Sequence, residues 1–153
     1  MSVINLIVYG SPVAQGRPKF STRGGFVRAY DPAKSRDFKD YVRLAAAQQM
    51  GDMPLLDGAL TLSVRVFRPI PSSMSKKKAA LAELGEIRPI TKPDLDNYIK
   101  GIKDALQGIC WKDDSQVVAY VEPTGKYYSS RPRVEVEIGQ LDETEEIKIG
   151  GTE

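Results

Sequence analysis

Apolar and polar positions alternate at the start of the chain. In SVINLIVYG, Ile4, Leu6 and Val8 fall on one side, with Val3, Asn5 and Ile7 on the other. Such alternation marks a strand buried on at least one face. SPVAQGRPKFSTRGG follows, rich in Gly, Pro and cations, and reads as a long loop. FVRAY is a short strand leading into DPAKSRDFKDYVRLAAAQQMG, where Asp31 suits a helix N-cap and Pro32 the first helical position. Phe38, Tyr41, Val42 and Ala45 keep helical spacing, and Gly51 ends the run. GALTLSVRVFRP is a clear strand, with Leu60, Leu62, Val64 and Val66 facing one way and Thr61, Ser63 and Arg65 the other. That pattern implies a sheet with one wetter face, antiparallel or mixed rather than wholly parallel. IPSSMSKKKAALAELGEIRPITKP is bounded by prolines and holds one short helix over 75–84. Its lysines at 76–78 read as solvated first turns, with phosphate contact as the alternative. A helix over 95–108 and two strands, SQVVAYVEP and PRVEVEIG, complete the series. The order β β α β α α β β predicts an α+β domain over 1–139, without internal repeats. The acidic tail 140–153 is expected to fray.

Composition narrows the chemistry. The chain has 153 residues, 41% hydrophobic and 27% charged, which suits one globular domain with a sizeable core. No apolar run approaches the ~20 residues that cross a bilayer. The N-terminus lacks a basic region and a cleavage site, so it reads as a strand and not a signal peptide. A cytoplasmic location with no membrane partner is the expectation. The single cysteine, Cys110, excludes an intramolecular disulfide and a thiolate zinc cage. Histidine is absent, which excludes Ser-His-Asp and Cys-His sites and histidine metal sites. General acids, bases and metal ligands must therefore come mainly from carboxylates, and oxygen donors favour Mg²⁺, with Mn²⁺ as a substitute. No GxxxxGK[ST] or GxGxxG motif occurs, so no nucleotide cofactor is expected.

Charge is uneven. The formal net charge is +2, yet residues 1–50 hold eight Lys and Arg against three acids, and residues 140–153 hold one Lys against five acids. A basic N-terminal third suits a polyanion partner, as well as an ordinary solvated surface.

The richest stretch is KPDLDNYIKGIKDALQGICWKDDSQVV, residues 92–118. Leu95, Tyr98, Ile99, Ile102, Ala105, Leu106 and Ile109 form one apolar stripe, and Asp96, Asn97, Lys100, Lys103, Asp104 and Gln107 gather opposite it. Asp94 precedes the first turn, and Asp96 and Lys100 are neighbours one turn apart. Taken alone, DLDNYIK also reads as an ordinary capped, amphipathic helix, since Asp near an N-terminus caps free N–H groups. The second acidic pair, Asp113 and Asp114, stands in a turn before an apolar strand that can pack back on the helix. Asp114 could then approach Asp94 and Asp96. Three carboxylates together repel at neutral pH unless one is protonated or a divalent cation neutralises them. A nearby lysine can stabilise charge on a phosphoryl group, so the set suits phosphodiester hydrolysis. Cys110 and Trp111 read as core.

KPDLDNYIKGIKDAL followed by DDSQVV resembles the signature of the RusA family of Holliday junction resolvases, small endonucleases common in prophages. GSPVAQGRPKF, the Tyr-Asp-Pro-Ala-Lys helix start and the Pro- and Lys-rich insert extend the likeness over about residues 3–139. The resemblance implies a small α+β fold, a homodimer, and symmetric Mg²⁺-dependent nicking of branched DNA at four-way junctions. By position it implies Asp94, Asp96 and Asp114 as metal-binding catalytic aspartates and Lys100 as the catalytic lysine. The link LQGICWK looks one residue shorter than in the best-known member, which leaves Asp113 as an alternative ligand to Asp114. Arg17, Lys19, Arg23, Arg28, Lys34, Arg36 and Lys39, with Arg43, would then track DNA phosphates. Phe20 and Phe26 lie among them as packing residues or as a wedge at a junction centre.

Two rivals stand beside this. Pro93-Asp94 with EIK at 146–148 formally fits a PD…(D/E)xK nuclease pattern. A non-catalytic DNA-binding module would explain the basic segment, though not the acids, which repel DNA without a metal.

Overall fold

The computed structural model describes residues 2–15, 19–21, 28–30 and 33–141. They form seven strands and three helices in the order β1 (Ser2–Tyr9), β2 (Lys19–Ser21), β3 (Arg28–Tyr30), α1 (Ala33–Met50), β4 (Leu60–Pro69), α2 (Lys76–Glu83), α3 (Leu95–Leu106), β5 (Val117–Tyr120), β6 (Gly125–Ser129) and β7 (Arg133–Gln140). The expected α+β class holds, with a mixed sheet. Strand order is β1-β7-β4-β5, and β6 pairs with the same flank of β4 farther along. β7 runs antiparallel to both β1 and β4, while β5 and β6 run parallel to β4. β2 and β3 make a separate antiparallel pair.

The alternation read in three strands becomes one apolar sheet face. Leu6 and Val8 of β1, Leu60, Leu62, Val64 and Val66 of β4, and Val134, Val136 and Ile138 of β7 are buried in a single cluster. Phe38, Val42, Ala46 and Met50 of α1, and Tyr98, Ile99, Ile102, Ala105 and Leu106 of α3, cover that face. Tyr41, expected in the α1 stripe, is 47% exposed. The buried stripe instead runs at successive fourth positions from Phe38, because α1 packs against both α3 and β1. The opposite sheet face is wetter, as expected, and carries Arg65 bonded to Glu135 and Arg133 bonded to the same carboxylate. Ser63 departs from that pattern. It is fully buried, because the turn at 121–124 folds over it and the Pro123 carbonyl accepts from its hydroxyl.

Two strands differ from expectation. β2 lies inside the stretch read as loop, and β6 was not anticipated at all. β6 has no alternation to read, since its middle residues are half-buried on both sides between β4 and α2. The short helix over 75–84 is present as α2, with the Ser75 hydroxyl accepting from the Lys78 amide. Its three lysines are exposed, in keeping with solvated first turns. Asp31, Pro32 and the tail from 142 onward lie outside the described residues, although β7 continues to Gln140 and the Leu141 amide bonds the Ala59 carbonyl. Among the described residues no helix is long and apolar enough to cross a membrane.

Cys110 and Trp111 are fully buried, as core residues should be. Burial pushes the Cys110 thiol from 9.0 up to about 11. The neutral thiol is favoured in the folded chain, so its contribution is intact below pH 9 and is lost as pH rises toward about 11. Native protein at pH 8 should therefore resist alkylation by iodoacetamide, while urea-unfolded chain reacts with one equivalent. Rapid labelling of the native state, followed by mass, would contradict this burial.

Candidate active site

The polar face of α3 forms one wall of the site. Asp94 takes the N-cap position with extended backbone, φ −67° and ψ 154°, yet its carboxylate makes no capping hydrogen bond. A helix cap that does not cap leaves its charge for something else. Among the described residues, no hydrogen bond or ion pair engages the side chains of Asp94, Asp96 or Lys100. Asp96 and Lys100 are exposed one turn apart.

The link after α3 delivers Asp114 to the other wall. Gln107 leaves the helix in an extended conformation, and Gly108 adopts φ 87°, a left-handed turn that a side chain would strain. The Gly108 amide then bonds the Trp111 carbonyl at 2.6 Å, and the Cys110 amide bonds the Leu106 carbonyl at 2.9 Å. This tight return drives Trp111 into the core and lays Asp114 back beside α3. Trp111 Nε1 donates to Asp114 Oδ1 at 2.8 Å, and the Asp114 amide donates to Gln107 Oε1 at 3.1 Å. A buried indole has to find an acceptor, and here it finds the acid three residues on.

Asp113 is committed elsewhere. It caps a short 3-10 turn, Asp114–Gln116, accepting from the Ser115 amide at 2.9 Å, while Gln116 Oε1 accepts from the Asp113 amide at 3.0 Å. The Ser115 amide, helped by the Ser115 hydroxyl, holds the Asp113 carboxyl below its ordinary value. Gln116 also reaches the carbonyls of Leu56 and Gly58, tying the turn to the start of β4. The two acids are thus placed differently: Asp113 caps the turn, and Asp114 lines a cavity beside α3.

That cavity, about 220 Å³, is lined by Asp96, Lys100, Lys103 and Asp104 from α3, with Ile99 beneath, and by Asp114 and Tyr120 opposite. Lys103 Nζ donates to the Tyr120 hydroxyl at 3.3 Å. Asp104 is partly neutralised, bonded to Lys39 Nζ at 3.0 Å. Asp94 lines a neighbouring depression of about 360 Å³ with Ala14, Gln15, Lys92, Pro93 and Asn97. The expected convergence of Asp94, Asp96 and Asp114 is therefore split between two adjacent hollows. Among the described residues, no three acidic side chains gather closely enough to hold a metal ion. The donor chemistry still fits a hard divalent cation. Mg²⁺ is commonly held by only one or two carboxylates, with waters and phosphate oxygens completing its shell, and Asp96 with Asp114 supply that number.

The basic residues divide differently from expectation. Arg17 and Arg23 lie outside the described residues, as do Phe26 and the EIK at 146–148. Lys19 and Arg28 stand on the paired strands β2 and β3, and Lys34 lies in α1. Arg36 is exposed on α1. Lys39, expected among the phosphate contacts, is buried and bonded to Asp104, so it braces α1 against α3. Arg43, farther along the same helix, donates to the Ala105 and Asp104 carbonyls at 3.2 Å. Those carbonyls close the negative end of α3, where cations are favoured.

Trp111 was read from sequence only as core, and Gln107, Lys103 and Tyr120 had no assigned role at the site. Lys103 and Gln107 were visible on the polar face. The anchoring of Asp114 by Trp111 was signalled only by a tryptophan three residues upstream in a buried position.

The family model described as Endodeoxyribonuclease RusA matches residues 9–139, which spans all of the site described above. A Bacillus subtilis (strain 168) protein, YqaN, described as uncharacterized, is 51% identical over 143 residues, covering 92% of this chain and 99% of that protein.

Proposed function

The chain belongs to the RusA family of endodeoxyribonucleases, and from that premise we propose that it resolves four-way (Holliday) junctions in DNA recombination and repair, nicking two opposed strands with Mg²⁺, or Mn²⁺, as its cation. The observation that carries this reading is the shared cavity of Asp96, Asp114 and Lys100. Two carboxylates and an uncommitted ammonium on one cavity form a pairing suited to a phosphodiester. Asp96 and Asp114 would hold the cation, with Asp94 reaching in from the adjoining depression. A divalent cation held there would supply Lewis-acid chemistry for a phosphodiester and for an attacking water. The ammonium of Lys100 would meet the charge that builds on the phosphoryl oxygens during in-line displacement. Trp111 would keep the Asp114 carboxylate aimed at the cavity by its hydrogen bond. Arg17, Lys19, Arg23, Arg28, Lys34 and Arg36 would follow the backbones of the junction arms, a salt-sensitive and sequence-independent contribution. Two opposed strands need two matching sites, which a two-fold homodimer provides.

The test is cleavage of a synthetic four-way junction beside a linear duplex of the same sequence. Paired nicks at symmetric positions of the junction are expected with Mg²⁺ or Mn²⁺ and none with chelator. Equal cutting of the linear duplex would remove the junction selectivity. Binding without cutting in any divalent cation would favour a non-catalytic module. A sedimentation mass of one chain at micromolar concentration would remove the dimer.

A further inference from the structure

The segment 88–93 delivers the chain to Asp94, and side chains from the sheet fix its path. Lys126 on β6 sends its ammonium to two main-chain carbonyls of that segment, Thr91 at 2.9 Å and Pro93 at 3.1 Å. Arg68 on β4 donates to the same Thr91 carbonyl at 3.1 Å and to the Thr91 hydroxyl at 3.4 Å. Arg88 reaches back in the other direction. Its Nε donates to the Lys126 carbonyl at 2.9 Å, and its guanidinium lies over the Tyr127 ring, 4.1 Å from the centroid. Segment and sheet end are therefore laced together in both directions, through charged donors that are stronger than neutral ones.

These bonds end one residue before Asp94. Pro93 has no N–H to offer, and the Asp94 carboxylate makes no capping bond. The entry to α3 thus lacks a side-chain cap of its own and takes its orientation from the carbonyls on which Lys126 and Arg68 close. An ammonium has three donors, and Lys126 commits two of them to this backbone instead of presenting them to a ligand.

We propose that Lys126, backed by Arg68, is a positioning residue for the active site: it clamps the 91–93 backbone so that Asp94 enters the cavity region from a fixed direction. The inference rests on the reading of Asp94, Asp96, Lys100 and Asp114 as the nuclease site. Nothing in the clamp touches the reacting atoms. Its effect passes through the backbone into Asp94, and a carboxylate displaced by about 1 Å can cost about a hundredfold in rate.

Lys126→Met keeps the aliphatic stem and removes the donors, and Lys126→Arg restores two donors on a similar reach. The first readout is independent of catalysis. The Tyr98 amide bonds the Asp94 carbonyl at 3.3 Å, so its hydrogen exchange reports the entry of α3. Exchange there should quicken about tenfold in Lys126→Met, with amides 102–106 unchanged, and return in Lys126→Arg. Unchanged exchange at Tyr98 overturns the clamp, whether or not the chain is a nuclease. The second readout is steady-state junction cleavage. Lys126→Met should lower kcat by about a hundredfold with KM altered less than about twofold, and Lys126→Arg should recover most of it. A raised KM with kcat intact would make Lys126 a DNA contact and overturn the proposal. If wild type cuts nothing, the nuclease reading fails and the exchange result still decides the clamp.

Discussion

Asp96→Asn is expected to lower junction cleavage by about a thousandfold while leaving junction binding in place. The residue is exposed on the first turn of α3, outside the core, so the substitution costs little folding stability. Asn preserves shape and removes the charge. A cation site that loses one of its two proposed carboxylate ligands forfeits several kcal/mol of transition-state stabilisation, and each 1.4 kcal/mol is about tenfold in rate. Binding should survive because the cations proposed to meet phosphates lie elsewhere, and removing an acid near DNA weakens no attraction. The informative partners are Asp114→Asn and Asp113→Asn in the same assay. Asp114→Asn should follow Asp96→Asn. Asp113→Asn should cut at a rate close to wild type, since Asn also caps a turn. Full cutting by Asp96→Asn would sink the site, and a collapse confined to Asp113→Asn would reverse the assignment of the acidic pair.

Ile102→Ala should be the more damaging change to the fold, costing about 2–5 kcal/mol. Ile102 is fully buried on the α3 stripe, in the cluster that joins α1, α3 and the sheet. Truncation removes apolar burial and leaves a cavity in the core. The measurement is urea unfolding, with a lower midpoint and an unchanged slope. A midpoint like that of wild type would mean that α3 is not held by this stripe. The effect reaches function as well, because the polar face of the same helix carries Asp96 and Lys100.

How far the site was legible follows from the range of each interaction. Both faces of α3 are written in local order, since helical spacing alone sorts Ile99 and Ile102 from Asp96 and Lys100. The acid pair at 113–114 was equally visible, but not the division of labour within it. That depends on the left-handed turn at Gly108 and on the indole bond from Trp111, both consequences of how the link folds back. The split of Asp94 from Asp96 and Asp114 was likewise hidden, because positions two apart in sequence diverge at a helix start. β6 escaped notice for a related reason. A strand half-buried along both sides carries no alternation.

The sequence by itself determined the class of the molecule. Alternation in β1, β4 and β7 and the stripe of α3 specify an α+β core, and the lack of histidine with a single cysteine leaves acids, bases and metal ligands to come mainly from carboxylates. It also carried the family likeness that the family match bears out. Tertiary structure alone decided which charges are available. Lys39 looks like any other basic residue in the chain, yet packing of α1 on α3 buries it against Asp104. Lys126 lies 35 residues from Thr91 and 33 from Pro93, whose carbonyls it holds. Local pattern records how each residue faces its own element, whereas the pairing of a charge depends on which distant element arrives beside it.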